Sequence, residues 1–156
     1  HFRGAGPTLA VGLVFHDLHS SGKLQPTTRK AFDKMWALQR PAIQRKNNDH
    51  DGRGLWYQQG FCWDLSAPEL DGDYNSILAA IAVGTADGYA REAAAAKEVA
   101  QLRDYLARRF NNEYGEPPLH ARALVLWAAS RLDGLLTATK RDAIVRSLQA
   151  AQRADG

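Results

Sequence analysis

Gly22-Lys-Leu-Gln-Pro-Thr-Thr-Arg-Lys-Ala31 returns, 112 residues later, as Gly134-Leu-Leu-Thr-Ala-Thr-Lys-Arg-Asp-Ala143, with Gly, Leu, Thr, Arg and Ala in register. In both copies a glycine closes one apolar segment and a threonine-bearing stretch opens the next, the punctuation of a helix end followed by a helix start. The first copy sits between Thr8 to Leu18, with Leu9, Leu13, Val14 and Leu18 at helical spacing, and a second stripe of Ala31, Phe32, Met35, Trp36 and Leu38 that stops before Pro41. Allowing one residue of slip, the segments after each copy also end alike, Gln39-Arg40 and Gln152-Arg153. The chain therefore reads as a repeat of helix pairs, two units of about 56 residues separating the matched copies.

Between the copies the pattern is also helical. A third helix is expected from Tyr74 to about Thr85 (Ile77, Leu78, Ile81, Ala82), ended by Asp87-Gly88, and a fourth from about Arg91 to Phe110 with Val99, Leu102, Tyr105 and Leu106 inward. Pro117-Pro118 opens a fifth, Leu119 to Leu132, with Leu124, Leu126, Trp127 and Leu132, closed by Asp133-Gly134. The sixth, Thr139 to Gln152, puts Ile144, Val145 and Leu148 on one face. Residues 40–73 lack helical periodicity and carry the turn-rich Asn47-Asn48-Asp49-His50-Asp51-Gly52, so they read as one long connection. The expectation is an all-α single domain of three antiparallel helix hairpins, with the first, third and fifth helices in one layer and the second, fourth and sixth in the other.

Composition narrows the functional classes. The 20 basic and 17 acidic residues are spread along the chain, and the net charge of +3 gives no basic patch for nucleic acid. Cys62 is the one cysteine, which excludes an intrachain disulfide and any CxxC site. No apolar run approaches the roughly 20 residues that span a bilayer, so a soluble or peripheral protein is expected, without a cofactor. The chain begins without Met and stops at Ala154-Asp155-Gly156, and both ends read as processed or truncated.

Gln152-Arg153-Ala154-Asp155-Gly156 resembles the Q-x-x-D-G-G-W repeat of squalene-hopene cyclases, stopped before its tryptophan. Phe32 and Gln39 resemble a degraded copy. The stretch Ala67 to Gly84, then Asp87-Gly88-Tyr89-Ala90, Leu119-His120-Ala121-Arg122 and Leu126-Trp127-Ala128, is similar to bacterial squalene-cyclase-like proteins. The resemblance implies an α/α toroid of the terpenoid cyclase and prenyltransferase superfamily, in which six pairs close a ring; three pairs make about half. It also implies an apolar isoprenoid or lipid ligand, and the remainder of the ring or a partner chain beside an exposed edge.

In those cyclases a D-x-D-D motif supplies the acid that protonates an alkene, which requires a neutral carboxylic acid in a dry pocket. The resemblance places Asp71 at the acid position and Glu69 as its partner; Gly72 stands where the last aspartate would, with Asp73 one residue on. Read without the resemblance, Glu69 to Asp73 is an acidic cluster that caps a helix starting at Tyr74 and favours its dipole. Trp56, Tyr57, Phe61 and Trp63 precede it and could line a pocket for an apolar or cationic group, or simply pack the connection onto the helices. Trp36 and Trp127 read as plain core. Cys62-Trp63-Asp64 with His120 is a reversed form of the prenyltransferase zinc set, so no metal is assigned, and His120 is kept as a substrate-binding candidate. His16 and His19, at i and i+3, read as an exposed or capping pair. Two functions stay open: a cyclase-like protein with an acid-containing apolar cavity, not competent as an isolated half-ring, and a non-catalytic helical scaffold binding a protein or lipid.

Overall fold

The computed structural model describes residues 5–39, 68–111 and 116–153, and every regular element among them is helical. The elements are α1 (Ala5–Ser20), α2 (Pro26–Leu38), α3 (Pro68–Thr85), α4 (Ala96–Phe110), α5 (Leu119–Arg131) and α6 (Ala138–Ala151). Two single 3-10 turns, Tyr89–Arg91 and Ala93–Ala95, lead into α4. The all-α class expected from sequence holds for these residues. No helix among them is long and apolar enough to cross a membrane.

The internal repeat is a repeat of backbone conformation. α2 begins at Pro26, a residue preset for a helix start and lacking the N–H that would go unpaired. α6 begins at the register mate, Ala138, behind Thr137, whose hydroxyl accepts the Lys140 N–H at 3.2 Å. The residues just ahead have nearly the same dihedrals, φ −79° and ψ 157° at Gln25 against −69° and 156° at Thr137. The helices end on Gln39 (−61°, 132°) and Gln152 (−68°, 132°), with the single residue of slip seen in the sequence. Gly22 and Gly134 both take positive φ, 66° and 85°, which a side chain would resist.

Two boundaries move. α3 starts at Pro68 and not Tyr74, so Glu69 to Asp73 belong to its first two turns and the long connection is shorter than expected. α4 starts at Ala96 and not Arg91, because the two 3-10 turns occupy the residues between.

α3 is the central element: it packs on α1, α4 and α5, while α1 also packs on α2 and α5 on α6. From Asn75 to Val83 every residue of α3 is buried, whichever way it points. Ala79, Ala80 and Ala82 keep it slim, and at Gly84 a Cβ would lie 2.5 Å from the carbonyl carbon and oxygen of Arg131, so α3 and α5 meet backbone to backbone. Larger side chains fill the space outside, Phe32 and Met35 from α2 and Leu102, Leu106 and Phe110 from α4, all fully buried.

Several expected core residues lie outside. Leu9 (55% exposed), Leu18, Trp127 (41%) and Val145 are exposed. α1 buries Pro7, Ala10, Val14 and Asp17, whereas α5 buries Ala121, Val125 and Ala128. At the repeat offset these are opposite flanks: the mates of Pro7 and Val14 are Leu119, exposed, and Leu126, half-buried, and the mates of Ala121 and Ala128 are Leu9 and His16, both exposed. Each of these helices has α3 on one flank, and the two flanks are reversed. Periodicity reads apolar residues on both.

The joint between α2 and the turns after α3 is polar at its ends and aromatic in its middle. Arg29 makes a two-pronged pair with Glu92, 2.9 Å on each side. The rings of Phe32 and Tyr89 stack at 4.2 Å, and the Trp36 Nε1–H donates to the Tyr89 hydroxyl at 2.8 Å. Gln39 Nε2 donates to the Glu98 carbonyl at 3.4 Å.

Asp17, 4% exposed, ties α1 to α2 by accepting the Gln25 N–H at 2.8 Å. Burial alone would push its carboxyl up. The Thr28 hydroxyl, which adjoins it without the geometry of a full hydrogen bond, the Gln25 N–H and His16 outweigh that and hold it below the ordinary carboxylate value. The folded state therefore binds this proton less readily than the unfolded chain. The stabilisation is complete above the usual Asp value, about 3.9, and is lost as pH falls through Asp17's lower folded value. In urea melts from neutral to strongly acid pH, Asp17→Asn is expected to be less stable than wild type at neutral pH and to lose less stability on acidification. Gly84→Ala is expected to cost about 1–3 kcal/mol, since backbone cannot yield to the new methyl. Gly12→Ala meets nothing within 4 Å and is expected to stabilise by about 0.5–1 kcal/mol in the same melts.

Candidate functional site

Two features are candidates, the acidic start of α3 and an aromatic face shared by α1 and α5. Pro68 stands at the first position of α3, and Glu69 and Asp71 follow within its first turn, where negative charge is favoured by the helix dipole. Their side chains lie outside the described residues. So do Trp56, Tyr57, Phe61 and Trp63, and Cys62 and Asp64 with them.

Asp73 is described in full and is no cap. It lies in the second turn, 0% exposed, and its carboxylate faces α4. One oxygen accepts the Tyr105 hydroxyl at 2.7 Å and the other accepts the Arg109 Nε–H at 2.7 Å. Tyr105 and Arg109 are one helical turn apart on α4, so a single face of that helix supplies both donors. Neighbouring Asn75 and Ser76 are buried too, at 2% and 0% exposure. This concentration of buried polar groups sets the start of α3 apart from its alanine-rich remainder. A cation and a hydroxyl donating to the two oxygens are partners that suit an anion.

The aromatic face is built from helix periodicity. On α5, His120, Leu124 and Trp127 recur at four and three residues and share one stripe. On α1, Val11, Phe15 and Leu18 do the same. The two stripes meet where Phe15 and Trp127 pack with centroids 5.8 Å apart and planes tilted by 39°. Trp127 and His120 remain exposed; Phe15 and Leu124 are half-buried against the core. Trp127 is thus not plain core, and Trp36 is only partly buried, its indole N–H spent on Tyr89. His16 and His19 are exposed, as expected.

Sequence reasoning missed Phe15, absent from the stripe assigned to the first helix, and missed Arg109 and Tyr105 as partners of Asp73. Their i, i+4 spacing puts the two on one face of α4, but nothing local names Asp73 as their target. A further concavity of about 270 Å³ lies between the C-terminal ends of α1 and α3 and the start of α2. It is lined by Asp17, Asp87, Lys23 and Arg29, whose charges balance. Among the described residues no three His, Cys, Asp or Glu side chains converge in a way that could hold a metal ion.

Removing the cation from a buried carboxylate leaves an uncompensated charge. Arg109→Met is expected to cost about 3–5 kcal/mol in denaturant unfolding, and Tyr105→Phe about 1.5–3 kcal/mol; a loss under about 1 kcal/mol for Arg109→Met would show that Asp73 does not depend on the pair. No family model, curated protein or solved structure compared with the chain matches it.

Proposed function

We propose that the chain is an arc of an α/α toroid whose inner face binds an apolar ligand of the isoprenoid or lipid class, and that it does not itself protonate an alkene. The arc consists of three antiparallel hairpins, with α1, α3 and α5 as the inner layer and α2, α4 and α6 as the outer. The observation that carries this reading is the contact of Phe15 with Trp127. Two helices that each pack on α3 also touch through their aromatic rings, as a layer that curves inward would bring about, and Trp127 stays 41% exposed beside the contact.

End-to-end contacts support the hairpins. Gly6 near the start of α1 lies against Met35 near the end of α2, and Asp73 near the start of α3 pairs with Arg109 at the end of α4. Arg122 in the first turn of α5 donates to Ser147 in the last part of α6. The ends of α1 and α3 line one concavity, and the ends of α3 and α5 meet at Gly84 and Arg131, in keeping with inner helices that run the same way. The resemblance to squalene-hopene cyclases is the reason for naming an isoprenoid. The departure at Gly72 and the occupied state of Asp73 argue against protonation chemistry. The scaffold reading is favoured by a separate observation, the exposed apolar residues on the outer flanks, Leu9 at one and Leu119 and Val145 at the other.

The test is titration of the intact chain with farnesol, read by tryptophan fluorescence. A saturable change is expected, and Trp127→Ala and Phe15→Ala should each weaken binding by about three- to tenfold, the scale of one aromatic contact. Binding unaffected by both would remove the face from consideration. Incubation with squalene should return no cyclised hydrocarbon; a product that disappears in Asp71→Asn would reinstate the cyclase.

A further inference from the structure

The concavity of about 270 Å³ between the C-terminal ends of α1 and α3 and the start of α2 shares only Leu18 with the aromatic face. Val14, Leu18 and Leu24 give it apolar wall, and Asp17, Asp87, Lys23 and Arg29 bring charge to it. Those charges balance by count but not by availability. Both terminal nitrogens of Arg29 are held by Glu92, which does not line the concavity, at 2.9 Å each. Asp17 is 4% exposed and its carboxyl is held below the ordinary value, so it is an anion at neutral pH. Asp87 is exposed and has no ion-pair partner among the described residues. Lys23 alone is left to oppose the two carboxylates. The helix ends tilt the balance further: α1 and α3 each finish here with about half a negative charge, and the start of α2 returns about half a positive one. The concavity is short of roughly one positive charge.

We propose that this concavity binds a small primary ammonium ion that carries a short aliphatic chain. The missing charge selects a cation, and the apolar walls select a chain on it. An ammonium has three N–H donors to place. The Asp87 carboxylate has no partner, and the Asp17 carboxylate keeps acceptor capacity beyond the one full hydrogen bond it takes from the Gln25 N–H. A third acceptor comes from Thr85, on the α3 side of the concavity, whose hydroxyl is shielded from solvent and has no partner among the described residues. Buried hydroxyls are ordinarily paired, so this one is a place where a ligand donor is gained and no protein bond is lost. The volume is that of about nine waters, enough for a chain of about four to six carbons and too small for one of lipid length. The inference stands on the concavity and does not depend on the aromatic face, so the two can fail separately.

The experiment titrates the intact, isotope-labelled chain with n-butylammonium chloride, and in parallel with sodium butyrate and n-butanol at matched ionic strength. Saturable amide shift changes confined to residues 17–24 and 85–87 are expected with butylammonium alone, with a dissociation constant on the order of a millimolar, within reach of so small a ligand. Asp87→Asn, which removes an exposed carboxylate, should weaken binding by about five- to tenfold. Thr85→Val should weaken it by about threefold without loss of stability in urea, since the hydroxyl holds no protein bond. Lys23→Gln should strengthen it by about threefold, because it removes the opposing charge. Absence of saturable shifts at these residues overturns the proposal. So does equal binding of butyrate or butanol, or a Lys23→Gln variant that binds butylammonium no better than wild type.

Discussion

The close approach of α3 to α1 and α5 is the constraint on which the other packing depends. Helices come together at about 8 Å only where side chains are small, and α3 meets that condition with Ala79, Ala80, Ala82 and Gly84. Small residues bury little apolar area each. The deficit is offset because α3 is buried all round from Asn75 to Val83, and because α2 and α4 bring bulky residues, Phe32, Met35, Leu102, Leu106 and Phe110, into the core. A larger side chain at position 84 would push α5 away and open the rest.

Within that apolar frame two buried carboxylates act as locators. Asp17 at the end of α1 holds the N–H ahead of α2, and Asp73 near the start of α3 holds the end of α4. A buried anion has few tolerable environments, so sliding either helix by one turn would strand a charge where water cannot reach it. Apolar packing alone leaves such slides cheap. The carboxylates make one register of each neighbouring pair much better than the next.

How far the sequence could be read depended on whether a signal was local. The starts of α2 and α6 were legible because Pro26, Thr137 and the glycines Gly22 and Gly134 act through their own backbone. The start of α3 was set six residues late, since Glu69 to Asp73 looks like a loop or cap, although Pro68 is itself a helix-opening residue. Burial was less legible. The stripe chosen for α1 put Leu9 inside, and the face chosen for α5 put Trp127 inside, because both helices carry apolar residues on two flanks and only the neighbour decides which is covered. The polar partners of Asp73 were beyond reach for a similar reason: a contact spanning 32 or 36 residues leaves no trace in local pattern.

Helices held by unequal numbers of neighbours need not open all at once. α6 is held chiefly by α5, whereas α3 is held by α1, α4 and α5. Nearest-neighbour coupling of this kind separates the energies of partial openings. α6, resting on α5 and bare on its far flank, can fray and reseal while the centre stays closed, and exchange of its amide protons would follow that local event. α3 can open only when α1, α4 and α5 have already left, so its amides would exchange with the free energy of the whole.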